Sequence, residues 1–311
     1  MLRPFNMTKL ITVFGSTGNQ GGSVVRAILN HPQLSKEWKV RGVTRNPNKP
    51  DAQAMVAKGV EMVAADLNSK DSILTAITGS DAVFGVTNYW EKASFAHEVQ
   101  QGHNLTDACV EAKVPHLIWS SLPHVSKITK GKLPNLHHFD SKAVVEEYIN
   151  KVGQSASFVL PGFFMSNIPG SIKPTSNGNS YTLSQLFHPD TQIPMLDVPT
   201  DFGKFVTSCL AKPDDTIGKH VLAASAWVTP LEICAAVESV TGKKCEFKEM
   251  EDKDWKAGQE LLENMVMIKE WAYYGPGAED GVIWSKRVVD EVGGWDRFGS
   301  FEGFLEGMDF K

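Results

Sequence analysis

Short runs of β-branched and aliphatic residues alternate with longer stretches whose apolar positions recur at helical spacing, from Lys9 to about Pro161. Continuous apolar runs mark buried strands, and recurrence every three to four positions marks helices. Residues 10–15, 39–45, 60–66, 82–88, 116–121 and 156–162 read as strands, and 23–31, 51–59, 70–78, 95–113 and 142–152 as the helices between them. Strands joined by amphipathic crossovers predict an α/β fold, a Rossmann-type doubly wound parallel sheet.

After Pro161 the rhythm breaks. Residues 167–180 are rich in Gly, Ser, Asn and Pro and read as loops over one end of the sheet. A helix is expected over 200–213, opened by an N-cap at Thr200 or Asp201. Another is expected over 229–244, opened at Thr229 with Pro230 at its first position and closed by Gly242. Residues 245–250 read as a strand, and 269–281 interrupts two helical patterns. The expected organisation is a first domain over 1–161, to which later segments return, and a smaller α+β C-terminal lobe over 162–311 forming a cleft. Trp255, Trp271, Tyr273 and Tyr274 are expected to pack within that lobe.

Composition narrows the classes of function. With 42% apolar and 22% charged residues in 311, the chain can bury a full core. The net charge of −5 comes from interspersed signs without a basic stripe, which argues against direct nucleic-acid binding. Cys109, Cys209, Cys234 and Cys245 are far apart and match no metal-ligand spacing, so buried reduced thiols are expected rather than a metal site or disulfides. The first residues lack a signal-peptide core, and no run approaches the roughly 20 apolar residues of a membrane span. A cytoplasmic or nuclear protein is expected, without membrane association.

Candidate chemistry begins at Gly15, Gly18 and Gly21, which follow a strand and open a helix. That context lets a backbone turn approach a pyrophosphate, with Ser16, Thr17, Asn19 and Gln20 completing the loop and the helix N-terminus facing the phosphates. Where an acid would inspect the adenosine ribose, Arg45 stands instead, with Lys49 nearby. A planar cation suits a 2′-phosphate, so NADP(H) is the expected cofactor. Asp66 with Leu67 fits either an adenine contact or the N-cap of the next helix. Thr87, Asn88 and Tyr89 stand at the carboxyl edge of the fourth strand, to meet the nicotinamide ribose or simply to turn the chain.

A dehydrogenase of the short-chain type places Tyr and Lys one helical turn apart, and here Lys142 is preceded at that distance by His138. His138, beside His137, has the titration range of a proton donor. Lys142 fits that role as well, or ribose binding alone. Ser120 and Ser121 occupy the place of an orienting hydroxyl or of ordinary strand-end turn chemistry, whereas Tyr148 lies on a different helix face and is excluded as a partner.

The Gly15–Gly18–Gly21 spacing is the form found in extended and atypical short-chain dehydrogenases. Together with residues 43–47, 86–91, 138–148 and 160–167, it makes the chain resemble the NmrA-like family, nearest its NADPH-sensor branch. The resemblance implies NADP(H) bound across Gly15, Gly18, Gln20, Arg45, Asp66, Thr87, Lys142 and the segment from Phe164 to Asn167. It implies a redox-sensing or regulatory protein whose dinucleotide biases a protein partner or a homodimer. The alternative is an NADPH-dependent reductase of a small carbonyl or conjugated substrate, using Lys142 or His138.

Overall fold

The computed structural model describes residues 8–308; the N-terminal residues 1–7, part of the stretch expected to lack a signal peptide, lie outside the described residues, as do 309–311. In chain order the first six strands are β1 (Lys9–Val13), β2 (Trp38–Thr44), β3 (Glu61–Ala64), β4 (Ala82–Gly85), β5 (His116–Ser120) and β6 (Ala156–Pro161). The remainder are β7 (Phe163–Phe164), β8 (Ile172–Pro174), β9 (Ser180–Gln185), β10 (Ile193–Leu196), β11 (His220–Ala223), β12 (Ala226–Val228) and β13 (Lys244–Glu249).

A seven-stranded sheet runs β11-β6-β5-β4-β1-β2-β3, parallel throughout. The strand order reverses between β1 and β4, and such a switch opens a crevice beyond the carboxyl ends of the strands. Helices cover both faces, which explains why the central strands are continuously apolar. On one face Ile73, Ile77, Leu105, Cys109, Val145 and Ile149 pack from helices Lys70–Ile77, Phe95–Glu111 and His137–Lys151. On the other, Val24, Val25 and Ile28 of helix Asn19–Asn30 meet Phe205, Val206 and Cys209 of helix Gly203–Ala211. These two helices approach so closely that a Cβ at Gly203 would sit 2.2 Å from the Ser23 carbonyl oxygen.

The smaller lobe carries the sheets β12-β10-β7 and β13-β9-β8. The helix opens at Thr229 and closes at Gly242, at φ +69°, as expected, and Glu232 completes a reciprocal capping box with Thr229. The four cysteines are free and buried. No helix among the described residues is long and apolar enough to cross a membrane.

Several local expectations are corrected. Residues 167–180 are not all loop, because β8 and β9 form an antiparallel hairpin turned near Gly178, at φ +69°. Neither Thr200 nor Asp201 caps a helix: both lie in a π-helical turn, Val198–Phe202, leading into helix Gly203–Ala211. Asp201 is buried instead, bonded to Lys204, Ser225 and the Gly299 amide. Helix His137–Lys151 starts five positions earlier than its apolar pattern suggests, which places His138 and Lys142 on one continuous helix.

Candidate active site

Beyond β1 the chain turns at Gly15, whose φ of +61° lies in the left-handed region, and enters helix Asn19–Asn30. A Cβ at Gly21 would lie 2.3 Å from the Gly15 carbonyl oxygen; at Gly18 the same contact would be 3.3 Å. Gly21 is therefore the position with no room for a side chain. Gly18 stands at the helix N-cap without a side-chain hydrogen bond, so no side chain caps the opening N–H groups.

These amides border a cleft of about 470 Å³ lined by Gly15, Thr17, Gly18, Asn19, Gln20 and Gly21 from the first turn. Arg45, Asp66, Leu67, Thr87, Asn88 and Phe164 line the rest. Five expected contacts stand off it: Tyr89, Lys142 and Asn167 line a neighbouring cavity, and Ser16 and Lys49 line neither. Ser16 is buried with its hydroxyl donating to the Val43 carbonyl, and Lys49 is exposed at the start of helix Pro50–Val56. Asp66 holds Asn68 through its own side chain, while Ser69 caps helix Lys70–Ile77; the N-cap alternative for Asp66 falls. Arg45 is paired across the cleft with Glu91 at 2.5 Å.

A second cavity, of about 310 Å³, shares Gln20, Thr87, Asn88 and Phe164 with the first and so adjoins it. It brings together Tyr89, His138, Lys142 and Asn167, and adds Trp90, Phe139, Phe163, Asn264 and Tyr273. Lys142 Nζ donates to the Thr87 carbonyl at 3.1 Å, to Thr87 Oγ1 at 2.8 Å and to Glu98 Oε1 at 2.8 Å. An ammonium has three protons, and all three are engaged. Glu98, 1% exposed, also accepts from the hydroxyls of Thr87 and Ser141.

Burial pushes the Glu98 carboxyl up, but Lys142 and the two hydroxyls outweigh it and hold the group below its ordinary range. A depressed folded-state value means the pair stabilises the fold above the ordinary carboxylate range and loses that contribution as pH falls through the lowered value. Glu98→Gln should leave Lys142 charged, buried and underpaired, at a cost of about 3 kcal/mol. Urea unfolding of the two proteins across the acid range would measure it. An unchanged midpoint near neutral pH would remove the ion pair from the account.

His138 is held differently. Glu260 Oε1 bonds both its Nδ1, at 2.7 Å, and its backbone N–H, at 2.8 Å, so one carboxylate fixes the ring and occupies the start of the helix. Burial raises the Glu260 carboxyl, but the His138 bonds and the Tyr89 hydroxyl outweigh it and keep it below its ordinary range. Tyr89 donates to Glu260 Oε2 at 3.0 Å; burial and that neighbour push its phenol further up, so it is no stand-in for the absent catalytic tyrosine. Rings of Tyr89, Trp90 and Phe139 surround the imidazole with centroids 4.9–5.8 Å away.

The expected orienting hydroxyls are used elsewhere, Ser120 on Gln20 and Ser121 on Glu146. Tyr148 bonds Asp107 and stacks on His103. Tyr273 and Tyr274 follow Ala272 at the end of helix Gln259–Trp271, where Ala272 and Tyr273 take positive φ, and their hydroxyls reach the Pro161 and Leu160 carbonyls. Tyr273 thus lines the cavity as well as packing.

Glu91, Glu98, Glu260 and Asn264 were not expected here. Glu98 had a signal: with Gly102, Leu105 and Cys109 it lies on the buried stripe of its helix, where a carboxylate is out of place without a partner. Glu260 sits on a mixed helix 122 positions after His138, and nothing local marks it.

The model of the NmrA-like family matches residues 7–305. An NmrA-like family domain-containing oxidoreductase of Penicillium ochrochloron, ptmS, is 32% identical over 257 residues, 77% of this chain and 75% of that protein. A Dictyostelium discoideum protein with an NmrA-like family domain is 28% identical over 319 residues, 98% of this chain and 99% of its own. Among solved structures, the negative transcriptional regulator NmrA in complex with NADP superposes with a TM-score of 0.77 at 22% identity, covering 96% of this chain and 95% of its own. Its complex with NAD gives 0.80 at 21%, with the same coverage. At these identities the structures speak for the fold.

Proposed function

The chain belongs to the NmrA-like family, and from that premise we propose that it is an NADP(H)-dependent reductase of a small carbonyl or conjugated substrate. One observation carries this reading: an imidazole anchored at Nδ1 by a half-buried carboxylate lines an aromatic-rich chamber that adjoins the glycine-loop cleft. The oxidoreductase name of its Penicillium relative is consistent with it.

The residues fit the dinucleotide. A backbone cradle that a Cβ at Gly21 would fill and an uncapped helix start suit a pyrophosphate, and Arg45 suits a 2′-phosphate. When bound, NADPH supplies a hydride. Glu260 accepts from Nδ1–H of His138 and fixes the ring; in the imidazolium form the second proton sits at Nε2, the nitrogen without a protein partner among the described residues, and is the one available for transfer. That proton goes to the substrate atom left negative by reduction, and solvent replaces it. Lys142 is the poorer donor, because giving up a proton would strip Glu98 of its buried counter-ion. It serves as a positioning cation.

Titration with NADPH, then loss of reduced-cofactor absorbance with a panel of aldehydes, quinones and enones, tests the proposal. Oxidation that depends on both cofactor and substrate is expected. Tight NADPH binding with no turnover across the panel would replace the reductase with the regulatory reading.

One observation favours that second reading. Arg45 is held by Glu91, next to Tyr89 and Trp90, so a 2′-phosphate competing for the guanidinium would free the segment that roofs the chamber. Charge-assisted bonds contribute roughly 1.5–3 kcal/mol, or about 10- to 100-fold in affinity. Arg45→Ala should therefore weaken NADPH by that factor and leave NADH unchanged, whereas Glu91→Gln should tighten NADPH. Equal losses for both cofactors in calorimetric titrations would remove the 2′-phosphate assignment.

A further inference from the structure

Asn264 is 7% exposed and lines the second cavity, yet its Oδ1 is buried with no hydrogen-bond partner among the described residues. Buried side-chain oxygens are almost always paired, so an orphan on a cavity wall points to a group brought by a ligand. Its surroundings sharpen the point. Asn264 follows Glu260 by one helical turn, which sets both on the face of helix Gln259–Trp271 toward the chamber. The other carboxylates of this stretch are spent: Glu260 on His138 and Tyr89, and Glu263 on the backbone and side chain of Asn135. These clamps hold the helix in place and leave the Asn264 amide unengaged. Aromatic rings from Tyr89, Trp90, Phe139, Phe163 and Phe164 form much of the remaining wall, with Gln20, Thr87, Asn88 and Asn167 on the side shared with or next to the glycine-loop cleft, and Trp90 is 53% exposed.

We propose that Asn264 is the substrate-selecting residue of this chamber, which takes a planar aromatic carbonyl compound and recognises it through a hydroxyl or N–H donated to the Asn264 amide oxygen. The inference rests on the second cavity being the substrate chamber of the proposed reductase. Flat aromatic walls favour a planar ring, and His138 supplies the donor that a carbonyl oxygen requires. A site built to hydrogen-bond a ligand group discriminates strongly against an analogue lacking it, because its own buried polar atom is then left unpaired.

The test uses matched pairs differing only in the donor: 4-hydroxybenzaldehyde against 4-methoxybenzaldehyde, and isatin against N-methylisatin. Binding is read by quenching of tryptophan fluorescence, to which Trp90 contributes, with and without saturating NADP+, so no turnover is needed. The wild-type protein should bind each donor-bearing member about 10-fold or more tightly than its partner. Asn264→Leu, close in volume, should bring both ratios near one while the affinity for NADP+ stays as it was. Equal affinities within the pairs in the wild-type protein, or no binding of any of the four, would overturn the proposal without needing a variant. So would a preference that survives in Asn264→Leu, or a loss of NADP+ affinity in that variant, which would assign the amide to the dinucleotide. Failure of the wild-type protein to bind NADP+ is a separate result and counts against the proposed reductase itself.

Discussion

Gly21→Ala should all but abolish NADPH binding, whereas Gly18→Ala should weaken it far less. A methyl at position 21 would lie 2.3 Å from the Gly15 carbonyl oxygen, 2.5 Å from its carbon and 2.6 Å from the Phe14 oxygen. All three are backbone atoms of the strand end and its turn, so no side chain can rotate away; the helix or the turn must move. Either displacement carries the opening amides of helix Asn19–Asn30 away from the cleft they border. Overpacking of this kind costs roughly 1–3 kcal/mol in stability, a fall in melting temperature of about 5 °C for a chain of this size. The loss of affinity should exceed about 100-fold, since charge-assisted bonds from several amides fail together. At Gly18 the nearest contact would be 3.3 Å, at a negative φ open to any residue. Calorimetric titration of both folded variants decides it. Near wild-type affinity in Gly21→Ala would mean that the turn does not cradle a dinucleotide.

The second large effect is expected at His138. Removal of a general acid lowers turnover about 100- to 10,000-fold, so His138→Ala should lose that much kcat while its affinity for NADPH holds, because His138 lines the chamber and not the cleft. Glu260→Gln should cost less, about 10- to 100-fold, since the ring keeps its place but loses the carboxylate that orients it. The bonds from His138 and Tyr89 hold the wild-type carboxyl below its ordinary value despite its burial, so the pair weakens only as pH falls through that lowered value. Substitution at Lys142 should instead lower stability together with activity, through Glu98. If His138→Ala retained full turnover on a substrate that the wild-type protein reduces, the donor would have to be sought elsewhere on the chamber wall.

What could be read from the sequence is what short-range physics governs. The alternation of apolar runs with helical spacing, the glycine turn between strand and helix, and the Thr229 and Gly242 caps each depend on residues within a few positions of one another. Each appears in the structure where the chain places it. Arg45 at the end of β2 and Thr87 and Asn88 beyond β4 follow as well, because a parallel sheet carries its strand ends to one edge. Local pattern misled where long-range packing prevailed: Asp201 became a buried partner of Lys204 and not a cap. That some later segment returns to the sheet was expected, but its place beside β6 was set by packing across the whole chain.

The chamber itself was decided by tertiary structure. Glu98 meets Lys142 from 44 positions away, Glu260 meets His138 from 122, and Asn264 comes to the same wall on the helix that carries Glu260. A buried charge or amide must find its partner in space, and that partner is set by strand order and helix packing across the whole fold. The sequence by itself determined an α/β sheet with a glycine-loop cleft at its carboxyl edge, and the packing of a distant helix against that edge decided which side chains stand ready for chemistry there.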